Sequence, residues 1–369
     1  MSGERIGRAL DVLNEGIERG WHLGAQVYVS HRGEVVADLG LGEARRGVPM
    51  EKNSLLLWFS ATKPVVVAAL ARLWERGRID LDDRVSAHIP EFGGRGKEEI
   101  CVRHVLTHTG GFRSGVDLNW KPEAWEGVVA RICNSGLERG WVPGSRAGYH
   151  AVSGWYILGE LVRRIDGRPL EEILREEILK PLGMVDSWVG MPSEQYRAYG
   201  DRVSVMHNTA TREPHHMDEE MREQVATVCN PGAGGHGPVR ELGLFYEMLL
   251  GKGKWDGVQL LSPQTVEALV SRHRVGLYDQ TFKHVVDWGL GFLVDSNLYG
   301  AETVPYGYGP YASPRTFGHS GRQSSMAFAD PEHELVVVAG VNGMPGERTH
   351  DERMRAFTAA LYRDLGLAN

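Results

Sequence analysis

The chain has 369 residues, enough for two domains or one large domain carrying an insertion. Hydrophobic residues at 42% and charged residues at 24% are ordinary globular usage, which excludes a disordered or fibrous chain. With 41 basic against 48 acidic residues the formal charge is −7, and no stretch gathers Lys or Arg into a stripe, so nucleic acid and anionic membrane are poor partners. Glycine is the unusual component: 47 residues without a G-x-y repeat, which predicts tight turns and close backbone approaches.

In chain order, Ile6, Leu10, Leu13 and Ile17 recur at helical spacing and predict an amphipathic first helix. Residues 25–30 and 34–39 are β-prone around His31-Arg32-Gly33, a hairpin. An apolar lead-in over 55–59 precedes a helix expected over 64–76. Helical spacing returns over 102–106, 122–133, 153–165, 170–178 and 239–250. A second hairpin, 325–330 and 334–341 around Pro331-Glu332-His333, leads to a last helix expected over 351–365. Two stretches, 200–223 and 296–316, fit no regular element and are read as long loops. The two ends are therefore expected to share one sheet. This gives an α/β domain from 1–80 and 255–369, a mainly helical domain over 81–254, and an active site at their junction.

The N-terminal stretch lacks the basic start and unbroken apolar run of a secretory leader. The longest apolar runs, such as 65–71, fall short of the roughly 18 residues that span a bilayer. Cys101, Cys133 and Cys229 are odd in number and widely spaced, which suggests neither a disulfide framework nor a zinc knuckle. Together these features predict a cytoplasmic protein. The adjacent His215 and His216 are read as loop histidines, and no metal or cofactor is expected.

No serine stands in a G-x-S-x-G elbow, and P-loop, dinucleotide and H-E-x-x-H motifs are absent from the sequence. Ser60-Ala61-Thr62-Lys63 stands out instead, ahead of an apolar helix. If Ser60 starts that helix, the Lys63 amine at i+3 lies on the same face and reaches the hydroxyl. Pro64 suits a first turn, whose N–H groups lack intrahelical partners and favour a developing oxyanion. Taken alone, the tetrad also fits an N-cap serine followed by a first-turn lysine. Two further elements complete an ordered set: Tyr149 in Gly148-Tyr149-His150-Ala151, and Gly318-His319-Ser320-Gly321 just before a β-prone segment.

In this order the motifs resemble the serine-reactive penicillin-binding-protein and class C β-lactamase superfamily, which includes the family VIII carboxylesterases. The stretches LDDRVSAHIPEF (81–92), RHVLTHTGGF (103–112), PLGMVDSW (181–188) and LLSPQTVEAL (260–269) add to the resemblance. It implies an α+β fold, in which a central antiparallel sheet from both termini is flanked by helices and carries an inserted, mainly helical domain. It also implies Ser60 as nucleophile, Lys63 as its base and Tyr149 as a proton shuttle at the first position of Y-x-N. His319, Ser320 and Gly321 would stand in for K-T-G, and the backbone N–H groups of Ser60 and Arg322 would form the oxyanion hole.

Two departures bear on substrate. Ala151 replaces the Asn of Y-x-N, and His319 replaces a fixed cation with a side chain that is ordinarily neutral at pH 7. Both weaken recognition of an anionic β-lactam. The Gly-rich stretch 229–237 resembles the family's loop beside the site, though it also reads as a plain turn. Tyr299, Tyr306, Tyr308 and Tyr311 are expected to wall an acyl pocket, while Trp288 either lines the cleft or fills the core. The leading expectation is a hydrolase cleaving a carboxylic ester through an acyl-enzyme on Ser60, with weak or no β-lactamase activity, and the partner expected is a small-molecule ester or amide. The alternatives are transfer of the acyl group to a second substrate, an amine or alcohol, and a catalytically retired ligand-binding scaffold.

Overall fold

The apolar segments at the two ends of the chain meet in one sheet. The structure, a computed structural model, describes residues 3–113, 123–211, 215–216 and 219–368. The sheet has seven strands in the order Leu293–Val294, Phe317–Gly321, Ser325–Asp330, Leu335–Val341, Gly24–His31, Glu34–Arg45 and Val48–Pro49, with every neighbour antiparallel. The termini are joined at its centre, where Val27 faces Ala339 and Tyr28 faces Val338.

Strands Gly24–His31 and Leu335–Val341 are buried along their whole length because both faces of the sheet are covered. Alternation then sorts their side chains. Ala25, Val27, Val29, Val337 and Ala339 pack with the terminal helices Gly7–Glu18 and Glu347–Asp364 through Ala9, Leu13, Phe357 and Leu361. Tyr28, Val336 and Val338 face the opposite way, toward helices Lys63–Glu75 and Val239–Leu250. Helix Lys63–Glu75 is buried on nearly every side, lying between this sheet and helix Ser153–Asp166. Its first turn is thereby fixed to both regions.

Both hairpins and the helices expected at 102–106, 153–165 and 239–250 are present within a residue or so, except that strand Glu34–Arg45 runs six residues past the expected end. Helix Trp125–Asn134 covers the described part of the one expected over 122–133, and Pro122 lies outside the described residues. The last helix begins at Glu347, four residues early, because Gly346 with φ of 99° ends the preceding strand segment abruptly. The stretch 200–223 is less irregular than expected. His207–Asn208 pairs with His215–His216 and with Gly343–Met344, and helix Glu219–Thr227 follows. These are two-residue strands held by long-range partners, too short to leave a periodic pattern. The side chains of His215 and His216 lie outside the described residues. The stretch 296–316 holds one 3₁₀ turn, Asn297–Tyr299, and is otherwise loop. No helix among the described residues is long and apolar enough to cross a membrane.

Candidate active site

Strand Leu56–Phe59 pairs with Gly235–Gly237, which pairs in turn with Trp188–Val189, and this small sheet delivers the chain to Ser60. Phe59 ends the strand at φ 48°, ψ −130°, a conformation a bulky L-residue adopts only under constraint. The constraints are visible. Thr62 Oγ1 donates to the Phe59 carbonyl at 2.6 Å and accepts from Gly235 N–H at 2.8 Å, while Ser325 Oγ donates to the Trp58 carbonyl at 2.7 Å. Across from them runs strand Phe317–Gly321. A Cβ on Gly321 would lie 2.2 Å from the Trp58 oxygen and 3.1 Å from Phe59 Cβ, so only glycine permits this approach.

Ser60–Thr62 form a 3₁₀ turn closed by Lys63 N–H donating to the Ser60 carbonyl, and the α-helix begins at Lys63. In a 3₁₀ turn residues i and i+3 eclipse, which stacks the lysine over the serine more tightly than an α-turn would. Lys63 Nζ lies 2.9 Å from Ser60 Oγ. It also donates to the carbonyls of Ala151 at 3.1 Å and Gly232 at 2.5 Å. The amine is fully buried, with no carboxylate in an ion pair among the described residues, and burial lowers its pKa well below the usual lysine value. A neutral amine has two N–H donors and one lone pair. The two carbonyls take the donors, which leaves the lone pair for Ser60.

Tyr149 donates its hydroxyl to the same Ser60 oxygen at 2.8 Å. Its backbone N–H donates to Asp279 Oδ1 at 3.1 Å, and its carbonyl accepts from Thr281 Oγ1 at 3.1 Å. Asp279 also accepts from the N–H groups of Thr281 and Phe282 and is paired with the buried Arg274 at 3.1 Å. The stretch 103–112 supports Tyr149 from behind: Gly148 N–H donates to the His108 carbonyl, and the His108 ring lies 4.8 Å from the Tyr149 ring. Burial pushes the phenol pKa up, so Tyr149 is a proton donor at neutral pH.

His319 lies 6.0 Å from the Tyr149 ring, centroid to centroid. Burial, then the Lys63 charge, lowers it to about 3, so it is a neutral imidazole. Its Nδ1 is 2.8 Å from the Ser320 carbonyl, which fixes the proton on Nδ1 and leaves Nε2 as a buried acceptor without a partner. No hydrogen bond is found for the backbone N–H groups of Ser60 and Arg322 among the described residues.

These groups open onto a cleft of about 540 Å³. Ser60, Tyr149, Ala151, Trp288, His319, Ser320 and Arg322 line it. Trp288 does so from within the core, where it is fully buried. Tyr308 does not line it. Its ring packs on Phe328 and its hydroxyl donates to the Leu293 carbonyl, which buries it in the layer beneath the terminal helix. Gly321 sits behind the wall, where its role is the close approach to Trp58. Of the four tyrosines in the loop, Tyr306 alone is a wall residue. The Gly-rich stretch does belong to the site, through the Gly232 carbonyl on Lys63. Phe282, Glu347 and Asp351 line the cleft and Asp279 clamps Tyr149, and nothing in their local sequence marks them.

The beta-lactamase family model matches residues 11–360. A penicillin-binding protein homologue from Caulobacter crescentus is 29% identical with a TM-score of 0.80, covering 98% of both chains. A family VIII carboxylesterase shares the fold at 24% identity and a TM-score of 0.79, again over 98% of both chains. The esterase/beta-lactamase LipL of Mycobacterium tuberculosis (strain ATCC 25618 / H37Rv) is 26% identical over 81% of this chain and 72% of its own. With the family model spanning most of its length, the chain belongs to the beta-lactamase family of serine hydrolases.

Proposed function

We propose that this protein is an esterase that cleaves a carboxylic ester through a covalent acyl-enzyme on Ser60. The observation that carries the reading is the double contact on Ser60 Oγ, 2.9 Å from a buried lysine amine and 2.8 Å from a buried phenol. Lys63, neutral in the apolar interior, takes the serine proton as Oγ attacks the ester carbonyl. The N–H groups of Ser60 and Arg322 stabilise the tetrahedral oxyanion, and Tyr149 protonates the departing alcohol. Water then attacks the acyl-enzyme by the reverse proton path.

Ester is favoured over β-lactam because the two positions that differ from the lactamase pattern hold no cation or amide. Ala151 offers only its carbonyl, which is engaged by Lys63, and His319 is neutral. Purified Ser60→Ala protein is expected to hydrolyse short nitrophenyl esters at least about 10³-fold more slowly than the parent. Equal rates would refute the mechanism. A second reading, acyl transfer to an amine or alcohol, is supported by a cleft large enough for acyl donor and acceptor together. It requires that acceptors accelerate decay of the trapped acyl-enzyme.

A further inference from the structure

Beyond the reacting atoms, the cleft has an unbalanced polar lining. Beside Tyr149, at 6.0 Å between ring centroids, it offers His319, 4% exposed, whose Nε2 lone pair has no partner. Away from Ser60, Glu347 stands at the mouth and Asp351 one helical turn farther along the last helix. Neither carboxylate is in an ion pair among the described residues. Glu347 accepts from the Tyr306 hydroxyl and from Gln323 Nε2, and Asp351 accepts from Tyr306 N–H, all of them neutral donors. Burial raises Asp351 to about 6 and the neighbouring Glu347 adds to the rise, while the Tyr306 N–H and the Arg355 charge oppose it. Against these two charges the lining holds one fixed cation, the exposed Arg322. Phe282 and Tyr306 add aromatic rings to the wall, surfaces that attract cations.

We infer that this wall selects a substrate arm bearing a protonated amine, which donates N–H to His319 Nε2 and directs its charge toward Glu347 and Asp351. The inference rests on the esterase reading for the position of the reacting carbonyl, and it specifies the class of substrate that reading leaves open. A carboxylate arm on this side meets two anions and an acceptor with no proton to give. A neutral alkyl arm leaves the His319 acceptor unpaired.

The test separates binding from turnover. In Ser60→Ala protein, benzylammonium, benzyltrimethylammonium, benzyl alcohol and benzoate are titrated against tryptophan fluorescence, to which Trp288 in the cleft wall contributes. Benzylammonium is expected to bind about tenfold more tightly than benzyl alcohol, and benzoate more weakly than both. Glu347→Gln combined with Asp351→Asn removes the advantage of both ammonium probes. His319→Phe weakens benzylammonium but spares benzyltrimethylammonium, which has no N–H. Because Glu347 is exposed, Glu347→Gln alone serves where the double variant is unstable, and a reduced ammonium preference is expected. Equal or absent binding of the four probes, tighter binding of benzoate, or an ammonium preference unchanged by the acidic variants would overturn the inference. The titration needs no catalysis, so loss of the esterase reading, seen as Ser60 failing to react with an activated phosphonate, is a separate outcome.

Discussion

At the scale of single residues, the site depends on keeping a lysine uncharged. Lys63 is surrounded by two carbonyls, a hydroxyl and the rings of Tyr149 and Trp155, with no anion to hold its proton. Its pKa is lowered, so the active form is the deprotonated one, present above that pKa and lost as pH falls through it. Activity is therefore expected to rise with pH along a limb below the ordinary lysine range. His319, lowered to about 3 mainly by burial, is already neutral at pH 7 and is not the group expected to produce it. A pH–rate profile of His319→Gln should keep the limb in place. Lys63→Arg should lose about 10³-fold at every pH, because a guanidinium does not give up its proton. Residual activity within tenfold of the parent would show that another group is the base.

At the scale of elements, Ser60 is set by three segments that converge from distant parts of the sequence. Strand Leu56–Phe59 is held by Gly235–Gly237 on one side and approached by Phe317–Gly321 on the other. The strained Phe59 persists because both neighbours are in place. Gly321→Ala puts a Cβ 2.2 Å from the Trp58 carbonyl oxygen, so the strand or the turn must move. The expected result is a loss of about 10²-fold in kcat/KM, the scale of a 1 Å misplacement. A stability cost of about 1–3 kcal/mol should accompany it. Steady-state kinetics beside a denaturant melt would check both, and unchanged kcat/KM would mean that the close approach does not position Ser60.

At the scale of the whole molecule, burial of neutral histidines links stability to acid. His22 and His319 are lowered to about 3, His150 and His236 to about 4, and His108 and His350 well below the usual value, with desolvation the largest cause in each. The folded chain thus binds fewer protons than the unfolded chain between the ordinary histidine pKa and these lowered values. Stability is full above about pH 6.5 and falls as pH drops below it, by up to about 1.4 kcal/mol per pH unit for each such histidine. Thermal melts from pH 7.5 to 4.5 should show Tm constant at first, then falling steeply below about 6.5. A flat Tm down to pH 5 would mean that these imidazoles are solvated in the folded state.

Local chemistry made part of this protein legible from sequence. The alternating and helical periods fix the two terminal hairpins and most helices, because each side chain's face is set by its own position in the repeat. Ser60 and Lys63 are three residues apart, so a single turn of helix places them on one face. The tyrosine and the His-Ser-Gly element were legible only as parts of an ordered set. Their contact with Ser60 spans 89 residues for Tyr149 and depends on a clamp, Asp279, that is itself 130 residues farther on. Which loop tyrosine faces the cleft was decided by tertiary packing. Tyr306 and Tyr308 are two residues apart in an irregular loop, where no repeat assigns a face, and the sheet buried one and left the other on the cleft wall. The same holds for Glu347 and Asp351, ordinary acidic residues of a surface helix until the fold brings that helix to the mouth of the site. The sequence alone marked the Ser60–Lys63 pair and the framework around it. The tertiary structure determined what that pair faces, because burial and partnership at a cleft come from elements far apart in the chain.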